Sequence, residues 1–392
     1  MKLLNFGIIG MGNRGEGMLK LLVRSGLGRP GAICDATPGR LDAFESYRER
    51  GVSFYTDYRV LLDDKSIDAV FITTPDGTHG EILAAALRAG KHAICEKPLE
   101  ITAGKIDRIL EEGRRSDRVI ALGYVLRYAP LFAKAKALVA GGAIGRVISV
   151  NAVDNINYGG YAFFHDWHRR RENVTSLLLQ KASHSLDVVN WLVGARPVQV
   201  AAFGGLDVYG SEGACRYLGG EAPAGLRCSA CEQERTCPDS ILNMERLRGV
   251  KWQENWPDAC VYGGEVNVDD NQALIVRYEN NAKLSYTLNQ FTPEYKREYS
   301  LIGDRGQLRF DDVSNCIRVT ERADKSVATY EVVTAEGHGG GDEGLLSDFL
   351  RCCAQGGTPV ANLESGAVSA RLALSAQRSI DEQRMVSIEY KN

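Results

Sequence analysis

The chain has 392 residues, which is long enough for two domains and a large hydrophobic core. It contains 44% hydrophobic and 25% charged residues, a composition that is ordinary for a soluble globular protein. The net charge of −3 excludes a general attraction to nucleic acid or to anionic membranes. No apolar run approaches the roughly 18 residues of a membrane span, and the glycine-rich N-terminus is unlike a signal peptide. We therefore expect a cytoplasmic protein with no nucleic-acid or membrane partner.

The first third of the chain alternates short apolar runs with helical patterns. The runs are LNFGIIG, GAICD, AVFITTP, KHAICEKP and RVIALGY. Strands separated by helices predict βαβ units, and strands that are apolar throughout indicate a parallel sheet covered on both faces. We therefore predict an α/β fold whose first domain, residues 1–123, is a doubly wound parallel sheet of the Rossmann type.

The pattern changes near residue 124. A long helix is predicted over 175–192, and alternating runs predict hairpins that turn at Asn280–Asn281 and near 303–306. We predict a second α/β domain, residues 124–392, with a large, mostly antiparallel open sheet and a Cys-rich insertion at about 212–262. The final helices of the chain can pack back on the first domain.

The first glycine cluster, GIIGMGNRG, fits the spacing G-x-G-x-x-G with Gly10, Gly12 and Gly15. Gly10 would permit the tight turn, Gly12 would let the backbone approach a pyrophosphate, and Gly15 would let helix and strand pack closely. The N-terminus of the following helix supplies free N–H groups to an anion. The cluster therefore predicts a dinucleotide site, and a plain glycine-rich turn is the alternative.

Asp35 ends the second predicted strand, some 20 residues beyond the last glycine of the cluster. A carboxylate at this point accepts hydrogen bonds from the ribose hydroxyls of NAD and repels a 2′-phosphate. NAD is therefore expected rather than NADP. Arg40 weakens this expectation of NAD, because its side chain could cover the adenine or bind a phosphate.

Two further strands end in polar motifs at the carboxyl edge of the sheet, where ligands of such folds bind. The motifs are TTPDGTH and CEKP, and the proline of the second restricts Lys97 to an extended conformation. A surface ion pair is the alternative for Glu96 and Lys97, and a helix-entry role is the alternative for His79. The candidate cofactor-binding residues are Gly10, Met11, Gly12, Asn13, Arg14, Asp35, Arg40, Thr74, Pro75, His79, Glu96 and Lys97.

These motifs, with CEKPLEIT followed by GYVLRYAP, resemble the glucose–fructose oxidoreductase/inositol dehydrogenase/rhizopine-catabolism (Gfo/Idh/MocA) family. The resemblance covers nearly the whole chain and is strongest over residues 5–130. It implies oxidation or reduction of a sugar, inositol or related polyol, with Lys97 in the active site. It also implies a second domain whose open sheet often forms an oligomer interface, so a homo-oligomer (dimer or tetramer) is expected.

The family usually carries an Asp-x-Gly-x-His-x-x-Asp stretch on a helix of the second domain. This chain has LLLQKASHSLDVVNWL, in which His184 and Asp187 match and Gln180 replaces the first aspartate. On one regular helix, Gln180, His184 and Asp187 would share a face, and Lys181 is an unusual neighbour. Either Asp187 orients His184, or the acid/base work depends more on the lysine of the Glu-Lys-Pro motif.

The segment FFHDWHRRREN, residues 163–173, is dense in aromatic and basic side chains. Trp and Arg suit a sugar ring through apolar faces and hydrogen bonds to hydroxyls, and a charged loop is the alternative. The candidate substrate-binding residues are Arg127, Trp167, Arg169, Gln180 and Asp187.

The predicted reaction is reversible hydride transfer between the nicotinamide and a secondary alcohol of a sugar, inositol or glycoside. His184 suits the role of base because an unperturbed imidazole titrates near neutral pH. Lys97 would polarise the oxygen and stabilise alkoxide charge, and the two roles exchange if Lys97 is neutral. One alternative is a glycoside-cleaving enzyme that recycles its NAD, and a less favoured one is a non-catalytic NAD-binding regulator.

Four of the ten cysteines predict a structural zinc site in the insertion. Cys228, Cys231 and Cys237 give C-x₂-C-x₅-C, and Cys260 lies further on, with Cys215 as its substitute. The segment lacks the periodicity of a packed element, and an insertion without its own core needs a staple. Free or redox-labile thiols and an iron–sulfur cluster are the alternatives.

Overall fold

The computed structural model describes residues 3–244, 246, 256–335 and 338–391. The N-terminal part has the strands β1 (Asn5–Ile9), β2 (Arg29–Cys34), β3 (Ser53–Tyr55), β4 (Ala69–Ile72), β5 (His92–Cys95) and β6 (Ile120–Leu122). They alternate with the helices α1 (Asn13–Ser25), α2 (Glu45–Arg48), α3 (Tyr58–Asp63), α4 (His79–Arg88) and α5 (Ala103–Arg115). The strands form one parallel sheet in the order β3-β2-β1-β4-β5-β6. This order changes direction at β1, and ligands of such sheets bind beyond the strand ends at that point.

The strands β1, β4, β5 and β6 of the parallel sheet are buried on both faces, as the continuous apolar runs predict, whereas the edge strand β3 is not. Phe6 and Phe71 point to one face, where their ring centroids lie 5.0 Å apart. Ile9 and Val70 point to the other face and pack in a second cluster. The apolar strands therefore bury their side chains alternately in two cores, and the polar groups that follow them come to lie together at the carboxyl edge.

The C-terminal part adds a second sheet and seven helices to the described chain. Its strands are β7 (Val147–Asn155), β8 (Pro197–Gly205), β9 (Asn271–Tyr278), β10 (Lys283–Asn289), β11 (Lys296–Gly303), β12 (Gly306–Asp311), β13 (Cys316–Glu321), β14 (Val327–Glu331) and β15 (Val386–Ser387). Its helices are α6 (Pro130–Ala140), α7 (Arg171–Val174), α8 (Leu177–Gln180), α9 (Ser183–Val193), α10 (Gly210–Tyr217), α11 (Gly341–Gln355) and α12 (Leu363–Glu382). None of the described helices is long and apolar enough to cross a membrane.

The second sheet has nine strands in the order β14-β13-β12-β11-β7-β10-β9-β8-β15. All neighbouring strands are antiparallel except β7 and β10, so the sheet is mixed but mostly antiparallel. Both predicted hairpins are confirmed, because β9 pairs with β10 around Asn280–Asn281 and β11 pairs with β12. Asn281 has a φ of 63°, a conformation that Asn tolerates in tight turns.

The single helix predicted over 175–192 is broken in the structure. Thr175 has a φ of 63°, α8 ends at Gln180, and α9 begins at Ser183. In the turn between them, the N–H groups of Lys181 and Ala182 both donate to the carbonyl of Leu177, at 2.9 and 3.0 Å. The chain is therefore wider here than a regular α-helix.

The C-terminal helices pack against the parallel sheet as well as against the second sheet. Phe349 of α11 lies 6.1 Å from Phe6 of β1, measured between ring centroids, and Leu346 is buried in the same cluster. The hydroxyl of Ser379 in α12 accepts a hydrogen bond of 3.0 Å from the N–H of Ala202 in β8. These two helices therefore hold the two sheets in one relative position.

A buried ion pair joins the end of the parallel sheet to the second sheet's helices. Arg127, in the turn Val125–Tyr128, donates to both carboxylate oxygens of Asp187 in α9, at 2.7 and 2.8 Å. Arg127 also donates to the carbonyl of Val360, and the hydroxyl of Ser369 donates to Asp187. Arg127 and Asp187 are 8% and 1% exposed, so each charge depends on the other for its stabilisation.

We expect Asp187→Asn to lower the free energy of unfolding by about 3–5 kcal/mol, because it leaves the buried Arg127 guanidinium without a counter-charge. Denaturant unfolding followed by circular dichroism measures the change. Glu111→Gln removes the exposed Arg115–Glu111 pair and should cost less than about 1 kcal/mol. Equal midpoints for Asp187→Asn and the wild type would show that the pair does not stabilise the fold.

Candidate active site

A cleft of about 1930 Å³ runs along the carboxyl edge of the parallel sheet. Its walls include Gly12 and Asp35 from the first part of the chain and Trp167, Lys181 and His184 from the second. Ligand pockets commonly measure about 300–1,000 Å³. The cleft therefore has room for a large cofactor and a small substrate together.

The glycine turn at one end of the cleft has the geometry that a pyrophosphate requires. Gly10 has a φ of 94°, and a Cβ on it would come 2.7 Å from the Thr73 carbonyl oxygen. A Cβ on Gly15 would come 1.9 Å from the Gly10 carbonyl oxygen, so α1 can approach the turn only without a side chain there. A Cβ on Gly12 would meet no described atom within 4 Å, so the backbone faces the open cleft at the start of α1. The turn fits a dinucleotide with its phosphates at the helix N-terminus.

Asp35 lies beside the glycine turn at the end of β2. Its carboxylate accepts hydrogen bonds from the N–H groups of Met11, at 2.7 Å, and Thr37, at 2.8 Å. Arg40 donates to the Met11 carbonyl at 2.7 Å, and both charged side chains line the cleft. Met11 itself is fully buried and contributes only its backbone. These bonds hold the carboxylate where a ribose of the cofactor would meet it.

The Glu-Lys-Pro motif lies at the end of β5 within the cleft wall. Arg14 of α1 forms a short ion pair with Glu96, and its other end pairs with Asp342 of α11 at 2.6 Å. Asn13, Thr74 and Pro75 line the same end of the cleft. Glu96 and Arg14 are therefore engaged with protein groups, and their pairing connects the glycine turn to the motif and to α11.

The amine of Lys97 crosses the cleft and donates a 2.7 Å hydrogen bond to the carbonyl of Gln180. Burial lowers the pKa of Lys97, and the nearby charges of Asp76 and Glu96 oppose that change. Gln180 is 9% exposed and reaches the cleft at the end of α8. The hydrogen bond therefore holds the lysine between the parallel sheet and the broken helix.

His184 is the second residue of α9. Its imidazole lines the cleft, and the residue is 9% exposed. Its Nδ1 has no hydrogen-bond partner among the described residues, and the ring of Tyr124 lies edge-on at 6.0 Å. Burial, followed by the positive charge of Lys97, lowers the pKa of His184 well below its usual value. The lowered pKa favours a neutral imidazole that lines the cleft, as a proton acceptor requires.

Asp76 and His79 illustrate two different roles of the TTPDGTH segment. His79 is buried, and its two ring nitrogens lie 2.7 Å from the carbonyl oxygens of Thr74 and Pro98, so it braces two loops of the cleft wall. Asp76 is 4% exposed, and burial raises its pKa to about 6. Asp76 is not among the residues predicted for the site, because nothing in the sequence shows that this carboxyl is buried beside Lys97.

The aromatic and basic segment divides between the cleft and the interior. Trp167 and His168 line the cleft with their rings stacked 4.0 Å apart, and burial lowers the pKa of His168 to about 3. Arg169 pairs with Glu265 at 2.7 Å, and Arg171 pairs with Asp381. The structure therefore brings Trp167 to the cleft and engages the charge of Arg169 in an ion pair.

Of the remaining substrate-binding candidates, Gln180 lies in the cleft, whereas Arg127 and Asp187 form the buried ion pair described above. Both carboxylate oxygens of Asp187 are engaged by Arg127, and Ser369 donates to one of them. The Asp187 carboxylate therefore stabilises the fold and does not orient the imidazole of His184. The basic residues Lys181 and Arg297, which were not predicted as site residues, also line the cleft.

The predicted zinc site is wrong. Among the described residues, no group of three or more His, Cys, Asp or Glu side chains is placed to hold a metal ion. The insertion builds a small apolar cluster of its own, in which Cys228 packs with Ile241 and Met244. Burial raises the pKa values of Cys228, Cys237 and Cys260 to about 11, so these sulfurs are neutral thiols near neutral pH.

The premise of the zinc prediction was that this segment has no core. A hydrogen bond of 2.7 Å from the N–H of Cys228 to the carbonyl of Asp258, and one of 2.8 Å from Cys260 to Leu226, tie its ends together. Cys260 is buried in the main core, Cys231 is partly exposed, and Cys215 lies exposed on α10. Backbone hydrogen bonds and apolar packing therefore stabilise the insertion, which is the role that the zinc ion was expected to have.

The doubly wound sheet and its glycine turn are typical of nicotinamide-dependent oxidoreductases. Residues 4–124 match the model of an oxidoreductase family with an NAD-binding Rossmann fold. Residues 132–309 match the GFO/IDH/MocA C-terminal domain. The chain belongs to the GFO/IDH/MocA oxidoreductase family, as the motifs of the first domain predict, and its first domain is an NAD-binding domain.

Several relatives carry names that describe an activity. The Bacillus subtilis protein YteT, named as an oxidoreductase, is 27% identical over 354 residues, which are 82% of this chain and 81% of YteT. The levoglucosan dehydrogenase of Pseudarthrobacter phenanthrenivorans is 30% identical over 64% of this chain and 66% of its own. The inositol 2-dehydrogenase 2 of Saccharopolyspora erythraea is 31% identical over 51% of this chain and 56% of its own.

Solved structures show the same fold over the whole chain. A levoglucosan dehydrogenase in complex with NADH and levoglucosan is 22% identical, covers 99% of this chain and 100% of that chain, and has a TM-score of 0.77. An oxidoreductase domain protein from Kribbella flavida is 19% identical, covers both chains fully (100%), and has a TM-score of 0.79. The arrangement of the two sheets is therefore shared.

We expect Asp35→Ala to weaken NADH binding by about 10-fold or more, because it removes a charged acceptor of hydrogen bonds. It should also narrow the preference for NADH over NADPH, since the repulsion of a 2′-phosphate is lost. Asp35→Asn keeps an acceptor oxygen but loses the charge. It should therefore lose discrimination between NADH and NADPH more than affinity for NADH. Fluorescence titration with both cofactors measures each effect.

The matched control for these variants is Asp63→Ala, because Asp63 is exposed and does not line the cleft. It should leave both affinities unchanged. A wild-type protein that binds NADPH more tightly than NADH would contradict the role assigned to Asp35.

Proposed function

We propose that the protein transfers a hydride reversibly between NAD and a secondary alcohol of a sugar, an inositol or a related polyol. The observation that carries the proposal is the joint position of Lys97 and His184 in the cleft that holds the dinucleotide turn. The inositol and levoglucosan dehydrogenases among the relatives support this substrate class. Bound NAD supplies the hydride acceptor, and the residues of the chain orient the alcohol and remove its proton.

His184 is proposed as the base. Burial favours its neutral imidazole, and the ring lines the cleft, where it can accept the hydroxyl proton. Lys97 is proposed to polarise the same oxygen, because an amine held at 2.7 Å from the Gln180 carbonyl has further N–H groups to donate. Trp167 and His168 offer aromatic faces to the sugar ring at the wall of the cleft. Enclosure of the site keeps water from competing for these donors and acceptors.

Incubation of the purified protein and NAD with a panel of inositols, monosaccharides and glycosides tests the proposal directly. NADH formation with a polyol or sugar is the expected result. Release of the aglycone from an aryl glycoside without NADH accumulation would instead indicate a glycoside-cleaving enzyme. Tight NADH binding without any turnover would indicate a regulator.

We also propose that the chain associates through the outer face of the second sheet, in the cytoplasm. On that face Phe203, Ile275 and Ile302 are 79%, 57% and 40% exposed. Exposed apolar residues grouped on a sheet face are typical of interaction surfaces. Sedimentation of the purified protein measures the oligomer directly.

We expect Lys97→Ala and His184→Ala each to reduce turnover by about 10²-fold or more, the scale of lost acid/base or electrostatic catalysis. NADH affinity should change little in His184→Ala. Steady-state kinetics together with NADH titration separates the two effects. Lys65→Ala, which removes an exposed lysine outside the cleft, is the control and should keep full turnover. Near-normal turnover of His184→Ala would remove His184 from the mechanism.

The pH dependence of kcat/KM should reflect the low pKa of His184. A base whose pKa is lowered stays neutral, and therefore active, as the pH falls through 6.5, its ordinary value. Asp76, which faces His79, Lys97 and Glu96, titrates at about 6 and would overlap this range. The profile is therefore measured in Asp76→Asn, where the acid limb should lie well below pH 6.5. An acid limb at or above pH 6.5 in that variant would contradict the assignment.

A further inference from the structure

Lys181 places a buried amine in the cleft wall. It lies in the turn between α8 and α9, lines the cleft, and is only 7% exposed. Its Nζ lies 5.2 Å from the centre of the Tyr158 ring. Beyond this contact, its side chain makes no hydrogen bond and no ion pair with any residue that the structure describes. A lysine that is buried this deeply normally has a counter-charge.

The carboxylates nearest to Lys181 are already committed to another cation. Arg297 of β11 lies 3.5 Å from a carboxylate oxygen of Asp154 and 3.7 Å from one of Asp312. Asp312 also accepts a hydrogen bond from the Arg297 backbone, and Asp154 accepts one from Ser185. Both acids therefore face Arg297, although Arg297 Nε and Asp154 Oδ1 have no hydrogen-bond partner among the described residues.

Neither of these two carboxylates forms an ion pair with Lys181. Burial lowers the pKa of Lys181 well below its ordinary value, and the charges of Arg297 and Lys97 lower it further against Asp154 and Asp312. An anion that entered the cleft beside the amine would restore its charged form. The cleft opens at this position, next to Gln180, whose carbonyl holds Lys97.

We propose that Lys181 binds a carboxylate of the substrate, so that the polyol oxidised by this protein is an acidic sugar, such as a uronate or an aldonate. This inference rests on the proposed function, and it narrows the substrate class. A single amine without an ion pair matches one negative charge. A phosphate would bring a charge near −2. Of the arginines that line the cleft, Arg14, Arg59 and Arg297 are already paired with carboxylates, and Arg40 donates to the Met11 carbonyl at the glycine turn.

The test compares acidic sugars with their neutral parents in the wild type, Lys181→Met and Lys181→Arg. The substrates are D-glucuronate and D-galacturonate, D-glucose and D-galactose, and D-glucose 6-phosphate. NADH formation gives kcat and KM, and calorimetry on the NADH-loaded protein gives affinities that do not depend on turnover. Lys134→Met is the matched control, because Lys134 also lies over an aromatic ring, 4.8 Å from the centre of Tyr330, but outside the cleft.

In the wild type, a uronate should exceed its neutral parent in kcat/KM by about 10- to 100-fold, the worth of a charged hydrogen bond. Lys181→Met should lower this ratio to near one, mainly through KM, while Lys181→Arg should retain part of it. Lys134→Met should keep the wild-type ratio.

Two results would overturn the proposal. One is a wild type that prefers neutral sugars or the sugar phosphate, with the same preference in Lys181→Met; the proposed oxidoreductase function would then stand without the acidic substrate. The other is the absence of binding by every sugar acid in calorimetry. If no substrate of any class is oxidised although a uronate binds through Lys181, the carboxylate site stands and the proposed reaction fails.

Discussion

The hydrogen bond from the Lys97 amine to the Gln180 carbonyl determines how the two halves of the cleft meet. Lys97 leaves the end of β5, where the parallel sheet delivers its polar groups to one edge. Gln180 ends α8, just where the chain departs from regular helix and widens into the turn that carries Lys181. The amine therefore has a fixed position only when the sheet and the broken helix are packed together. His184 reaches the same space because α9 begins directly after that turn.

Two sets of ion pairs, one in the cleft wall and one buried outside it, maintain this packing. Arg14 links the glycine turn to Glu96 and to Asp342 of α11, and Arg127 links the end of the parallel sheet to Asp187. A buried ion pair adds little to the free energy of unfolding, but loss of one partner lowers that free energy strongly, because the other charge stays buried without a partner. Their effect is to make one relative placement of the sheets much better than its neighbours, because a small shift would leave several buried charges unpaired.

Local patterns were sufficient for the fold and for the cofactor end of the site. Apolar runs, helical periods and the glycine spacing depend on neighbours within about 15 residues, and they predicted the parallel sheet, the hairpins and the dinucleotide turn. The remaining features depend on contacts between residues far apart in the chain. One alternative was that Asp187 orients His184, three residues away, but its partner is Arg127, 60 residues earlier. The zinc prediction failed for the same reason, since the letters do not show that the backbone of Cys228 pairs with Asp258 and that of Cys260 with Leu226, 30 and 34 residues apart.

Burial of the basic groups gives the cleft its chemical character. The pKa values of Lys97, Lys181, His168 and His184 are all lowered, and burial is the largest cause in each case. Burial makes the charged form of each group less favourable than in water, until a negative charge that enters the cleft stabilises it. The same dry surroundings strengthen every charge interaction formed there, because less solvent screens it. A developing alkoxide beside Lys97 and His184 would therefore be stabilised most at the moment when it forms, which is the property that an alcohol-oxidising site requires.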